Sequence, residues 1–182
     1  VVNRMIYQGP AGGIGEFRCP AGSRAWEQEN RIGDMATIAF ARRAVGIAQS
    51  REDAVVATAN EAMLYNAHQA YRRRLIDAGG DRCEFFVFRP QLMAEIVGAH
   101  DARAGEDVER PLRWSSARAS AGVYTGQRVL YHHVKAAQGL VDGGRLGSVA
   151  EGVDGLLIDE CMINIADALI GDAVRVRVRG RG

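Results

Sequence analysis

Residues 65–88, YNAHQAYRRRLIDAGGDRCEFFVF, decide the fold class. Met63 to Asn66 and Ala70 to Ile76 are strand-like runs. The loop Asp77-Ala78-Gly79-Gly80-Asp81 then feeds a third run, Cys83 to Phe88. Short runs rich in aromatic and β-branched residues, bounded by Gly and Asp, read as antiparallel strands joined by hairpin loops. In the last run Cys83, Phe85 and Val87 point one way and Glu84, Phe86 and Phe88 the other, because strand side chains alternate. Apolar residues on both faces, Glu84 excepted, predict a closed or sandwiched sheet. The alternation also sets Arg72 and Arg74 against Arg73. At least one guanidinium therefore points inward or packs at a rim, and an inward one needs an acidic or ligand partner.

The 182 residues suit one medium domain or a domain with an appendage, with 47% hydrophobic residues and a net charge of +1. That balance argues against a surface built mainly for nucleic acid or anionic membrane. No apolar run reaches the length of a membrane span and nothing resembles a signal peptide. The sequence begins without methionine, in keeping with trimming of its first residues. Cys19, Cys83 and Cys161 lack CxxC spacing, which fits a reducing cytoplasm.

Working outward, residues 1–13 read as an arm ending in a Gly-Pro-Ala-Gly-Gly breaker. Gly12-Gly13-Ile14-Gly15 is no phosphate loop, since Ile14 to Cys19 alternates like a strand where such a loop needs a helix. Pro20-Ala21-Gly22 turns the chain ahead of Trp26, and Gly33-Asp34 turns it again. Thr37 to Phe40, Ala44 to Gln49 and Ala54 to Ala57 follow as strands, the last two joined by a turn at Ser50 to Asp53. Short strands at this spacing predict an all-β sandwich or barrel.

After Phe88 the period changes. Pro90 opens a helix to Gly98, with Leu92, Met93, Ile96 and Val97 on one face. Asp101 to Ser120 reads as a polar connection anchored by Trp114. Thr125 to Gln138 is helical and is broken at Asp142-Gly143-Gly144. Ser148-Val149-Ala150-Glu151 is a capping box opening a last helix to about Ile170, weakened by Gly152 and Gly155. Leu157, Cys161, Ile165 and Leu169 form one row of it, with Ile158 and Met162 alongside and Glu160, Asn164 and Asp167 opposite. The basic tail Val174 to Gly182 reads as a linker.

The segments Ile14-Gly15-Glu16-Phe17-Arg18-Cys19, Asn30-Arg31-Ile32-Gly33-Asp34, Phe40-Ala41-Arg42 with Val45 and Ile47, Tyr65-Asn66 with Gln69, Tyr71-Arg72-Arg73 and Gly80-Asp81-Arg82-Cys83 carry a resemblance. In order and spacing they are similar to the N-terminal cupin-like sensor domain of AraC-type transcriptional regulators, over roughly residues 14 to 170. The resemblance implies a small jelly-roll barrel that binds an effector, a helical dimerisation segment, and two C-terminal helix-turn-helix units that read DNA. The expected organisation is a mainly β, cupin-like jelly-roll barrel at 1–89, an antiparallel helix pair for dimerisation at 90–171 and a linker at 172–182. The helix-turn-helix units do not follow in this sequence, so the expectation is either a naturally truncated protein or, the favoured reading, a sensor domain excised from a longer cytoplasmic regulator, with DNA reached only through the missing part. Ala41 departs from the pattern, where such regulators commonly show proline.

An enzyme reading is poor. Metal-dependent cupin enzymes resemble one another in a His-x-His pair, a glutamate and a later histidine. Here His68 stands alone in the predicted barrel, and His132 and His133 are adjacent, about 100° apart on a helix, so they do not share an ion as an i, i+4 pair does. No nucleophile elbow is present. No catalytic residue, cofactor or metal is expected. The alternatives are a thiol or metal sensor built on Cys19 and Cys83 of the predicted strands, although free cysteine usually packs as a small hydrophobe, or a degenerate cupin enzyme. Cys161 reads as packing.

The expected ligand site is the barrel interior, with Trp26, Tyr65 and Tyr71 as aromatic walls and Arg73 as a cation suited to a carboxylate or phosphate. The wide apolar arc of the last helix, through Leu157, Cys161, Ile165 and Leu169, predicts a homodimer.

Overall fold

The computed structural model describes residues 1–49, 54–142 and 154–179. The turn at Ser50 to Asp53, the break at Gly143-Gly144 and the capping box at Ser148 to Glu151 lie outside them.

Among the described residues ten strands, all paired antiparallel, form two sheets. They are β1 (Val2–Gln8), β2 (Gly12–Cys19), β3 (Asn30–Arg31), β4 (Ala36–Ala41), β5 (Val45–Ala48), β6 (Val55–Ala57), β7 (Glu61–Tyr65), β8 (Ala70–Leu75), β9 (Asp81–Phe88) and β10 (Ser116–Arg118). One sheet runs β1-β2-β9-β4-β7-β10 and the other β3-β8-β5-β6. Among the described residues four α-helices follow or interrupt the later strands: α1 (Pro90–Gly98), α2 (Ala102–Gly105), α3 (Ala121–Asp142) and α4 (Gly155–Arg179).

The larger sheet is used on both faces, and the alternation decides how. Ile14, Ile38, Leu64, Phe86 and Phe88 point to the helices and join Met93, Val97, Tyr131, Val134, Met162 and Leu169 in one core. The intervening residues Ala41, Met63 and Tyr65 point the other way and meet Val45, Ile47 and Ala57 of the smaller sheet. Register places Ile38 between Phe86 and Leu64, so the helix face is a continuous apolar row across β9, β4 and β7.

Several elements differ from the sequence reading. The expected N-terminal arm is strand β1, whose Tyr7 donates to the Gly155 carbonyl at 2.8 Å and pairs with Asp159 at 2.9 Å. The connection from Asp101 to Ser120 contains α2 and β10; the latter completes the edge of the larger sheet against β7. Helix α4 does not stop near Ile170 but continues to Arg179, through much of the tail read as a linker. Arg177 lies over the Trp114 ring at 4.9 Å, and that packing carries the basic turns along as helix.

Candidate functional site

Between the two sheets is a cavity of about 440 Å³, within the size range of small-molecule sites. Its space exists because small side chains stand where the sheets face each other. Ala39 and Ala41 of β4 and Ala57 of β6 line it beside Val45, Ile47 and Met63. Phe85 lies flat against Gly15, where a Cβ would come within 2.2 Å of the ring, and forms another wall with Phe17.

Tyr65, Tyr71 and Arg73 all line this cavity, and Trp26 stands behind Arg73. The tyrosine rings are 4.9 Å apart, centroid to centroid. Burial pushes the Tyr65 hydroxyl well above its usual range. Burial also raises Tyr71, to about 12, although Arg73 opposes the shift. Both walls therefore present neutral phenols.

Arg73 is the inward arginine that the alternation requires: it is 6% exposed, while Arg72 and Arg74 face solvent. It pairs in register with Ile47 on β5 and reaches across to the other sheet. There its Nη1 meets Asp81 Oδ2 at 3.2 Å, while within its own sheet its Nη2 donates to Asn30 Oδ1 of β3 at 3.4 Å. Phe17 and Trp26 lie against the guanidinium, 4.6 and 5.1 Å from its carbon to the ring centroids. Burial raises the Asp81 carboxyl above its ordinary 3.8, and the bond from Arg73 opposes that shift. Asp81 stands where it does because Gly80 turns the β8–β9 connection at a φ of 84°, with no room for a Cβ against the Cys19 carbonyl.

Asp81 is the site residue the sequence reading passed over. The signal was present, since a period of two places Asp81 on the same face as Cys83, Phe85 and Val87. Cys83 also lines the cavity, and burial holds its thiol well above the usual range. Cys19 shares that face, because Cys19 pairs with Asp81 and Cys83 with Phe17, which sets the two thiols diagonally across β2 and β9. Both are free. The histidines are dispersed: His68 is exposed, His100 meets Asp167 at 2.8 Å, and His132 and His133 face solvent on α3. Among the described residues, no group of three or more His, Cys, Asp or Glu is placed to hold a metal ion.

The opposite face of β2 and β9 carries a second polar group. Glu16 and Glu84 are register partners, both buried beneath α3. Glu84 accepts from Gln127 at 2.8 Å and Arg128 at 2.9 Å, and also from Arg42. Glu16 accepts from Arg4 at 2.7 Å and Tyr131 at 2.5 Å, and also from Lys135. Burial pushes the Glu16 carboxyl up, but these bonds outweigh it and hold the group at about 2, below its ordinary 4.5. Cross-strand like charges are unfavourable alone; here they are the sockets into which α3 docks.

Of the expected dimer row, Leu157 is exposed, Cys161 and Ile165 are half-buried, and Leu169 is fully buried in the chain's own core. Leu169 is therefore no part of an outer face: α4 turns the row inward as it passes α1, with Met162, Ala166 and Ala173. Leu156 and Leu157 remain the large apolar side chains left exposed in its first turn.

No protein-family model and no curated protein matches the chain. Among solved structures it is similar to the AraC-like transcriptional activator CuxR, with a TM-score of 0.54 and 13% identity over 86% of this chain. That likeness is one of fold. It spans 51% of the other chain, so the sequence corresponds to about half of that activator's length. A mutant hydroxyethylphosphonate dioxygenase also aligns over 92% of this chain and 44% of its own, at 14% identity, but its TM-score of 0.31 carries no argument.

Proposed function

We propose that the chain is the effector-sensing and dimerisation domain of an AraC-type transcription regulator, its two sheets forming a cupin-like jelly roll around a small-molecule site. The observation that carries this reading is the cavity itself: alanine-floored, walled by Tyr65 and Tyr71, and furnished with one buried polar pair, Arg73 and Asp81. Small-ligand sites are built in this way, mostly apolar with a few fixed polar groups. The fold shared with an AraC-like activator supports the regulatory half of the proposal.

In this reading the chain binds and does not catalyse, works in the cytoplasm, and meets DNA through a helix-turn-helix domain outside this sequence. Two copies associate through the helical face around Leu156 and Leu157, placing two DNA-reading modules on two half-sites. The thiol-sensor alternative is weaker, since Cys83 is held protonated by burial and the reactive form of cysteine is the thiolate.

A thermal-shift screen of the chain over small metabolites tests the sensing role. A ligand at a hundredfold excess over its Kd contributes about 2.7 kcal/mol. At about 2–4 °C per kcal/mol for a chain of this size, Tm should rise by roughly 5–10 °C. Ala39→Phe, which fills the cavity floor, should abolish that rise while leaving the protein folded. A rise that persists undiminished in the folded Ala39→Phe protein places the ligand elsewhere and contradicts the proposal.

A further inference from the structure

We infer that the cavity selects an uncharged, largely apolar ligand with a hydrogen-bonding end, and excludes the carboxylates and phosphates that a buried arginine ordinarily attracts. The inference rests on the sensing role proposed above and adds the chemical class of the effector. Three observations carry it. First, the charge of Arg73 is already spent. Asp81 lies 3.2 Å from Nη1, Asn30 takes Nη2, and the side chains of the pair are 2% and 5% exposed. Second, two aromatic rings, Phe17 and Trp26, lie against the guanidinium, leaving little of it for a second anion. Third, the rest of the interior adds no open charge: Arg4 at its edge is paired with Glu16 at 2.7 Å, Met63, Ala57 and Ile47 are apolar, and the phenols of Tyr65 and Tyr71 are protonated.

An anion entering this space loses its hydration and meets an aspartate in place of a free cation. Burying a charge without a partner is among the costliest events in a protein interior. A neutral ligand meets no such penalty. The pair still offers it polarity, because Arg73 Nε and Asp81 Oδ1 are a buried donor and acceptor with no hydrogen-bond partner. An amide, a lactam or a neighbouring hydroxyl and carbonyl supplies one acceptor and one donor to such a pair, with an apolar body against the alanines. Arg31 lies at the cavity's outer end, solvent-exposed and bonded to the His68 carbonyl at 3.0 Å, so it does not alter the balance inside.

Three probes of matched shape distinguish the possibilities: benzamide, benzoate and benzamidine, each titrated into the 182-residue chain and followed by thermal shift and ligand-observed NMR. Benzamide should bind at least tenfold more tightly than benzoate. In Asp81→Asn, which frees the arginine, benzoate should gain at least tenfold and overtake benzamide. Benzoate binding the wild-type chain as tightly as benzamide overturns the inference and leaves the sensing role standing. Benzamidine binding most tightly does the same, by assigning the open charge to Asp81. If none of the three binds, the inference falls, while the metabolite screen still decides the sensing role. The wild-type comparison stands alone should Asp81→Asn fail to fold.

Discussion

Arg73 joins the two sheets through a single ion pair, and removing one partner leaves the other charge buried. Arg73→Met should therefore cost about 3–5 kcal/mol in urea unfolding, whereas Arg73→Met with Asp81→Leu should recover most of that loss. A single variant as stable as wild type would show that the pair is not buried as described. That at least one of Arg72, Arg73 and Arg74 turns inward was legible, because alternation sets Arg73 against its two neighbours, but which face points inward depends on register. The partner of Arg73 was less legible, since Asp81 belongs to the other sheet and only the fold brings them together. Glu16 adds a prediction in pH. Its folded pKa of about 2 lies below the ordinary 4.5, so its contribution is present above 4.5 and is lost as pH falls from there through 2. Stability measured across that window should fall less steeply in Glu16→Gln than in wild type; equal slopes would remove Glu16 from the acid response.

Helix α3 is held to the sheet by charge as well as by apolar packing. Tyr131 and Lys135 reach Glu16, and Gln127 and Arg128 reach Glu84, one helical turn apart along the same side. Glu84→Ala leaves Arg42 without its carboxylate and should speed hydrogen exchange along α3 more than in α1. Uniform acceleration would mean that the whole core, not the docking of α3, depends on Glu84. The same strands carry Phe17, Cys83 and Phe85 on their cavity side, so a ligand that shifts β2 and β9 acts on α3 through the thickness of one sheet. Strands β4, β5, β7, β8 and β9 were readable because hydrophobic alternation and turn residues agree there. Strand β1 was not: Val2-Asn3-Arg4-Met5-Ile6-Tyr7 mixes polar and apolar residues without a period, and its pairing with β2 shifts register between Met5 and Tyr7. Strands β3 and β10 have two and three residues, too few to show any period. In the tail, Val and Arg alternate from Val174 to Arg179, a pattern unlike an amphipathic helix, and the continuation of α4 follows from contacts such as that of Arg177 with Trp114.

At the scale of the molecule, one sheet borders a cavity on one face and a helical core on the other. That both faces are covered was legible in residues 83–88; in the fold Cys83, Phe85 and Val87 face the cavity and Glu84, Phe86 and Phe88 face the helices. Which helical residues face outward was not legible, because periodicity describes a helix and not its neighbours: Leu169 is covered and Leu157 is exposed. Association through the exposed turn is expected to make the chain a dimer by sedimentation equilibrium, and Leu157→Glu a folded monomer; a wild-type monomer at high micromolar concentration contradicts the dimer. The central claim, a ligand held between the sheets, is tested most directly by the methionine methyl groups. Met63 and Met5 line the cavity, whereas Met93 and Met162 lie in the core on the other side of the sheet. With 13C-labelled methionine, titration of a ligand that raises Tm should shift Met63 and Met5 first and leave Met93 and Met162 nearly in place. Shifts confined to Met93 and Met162, with Met63 unmoved at saturation, would contradict the account.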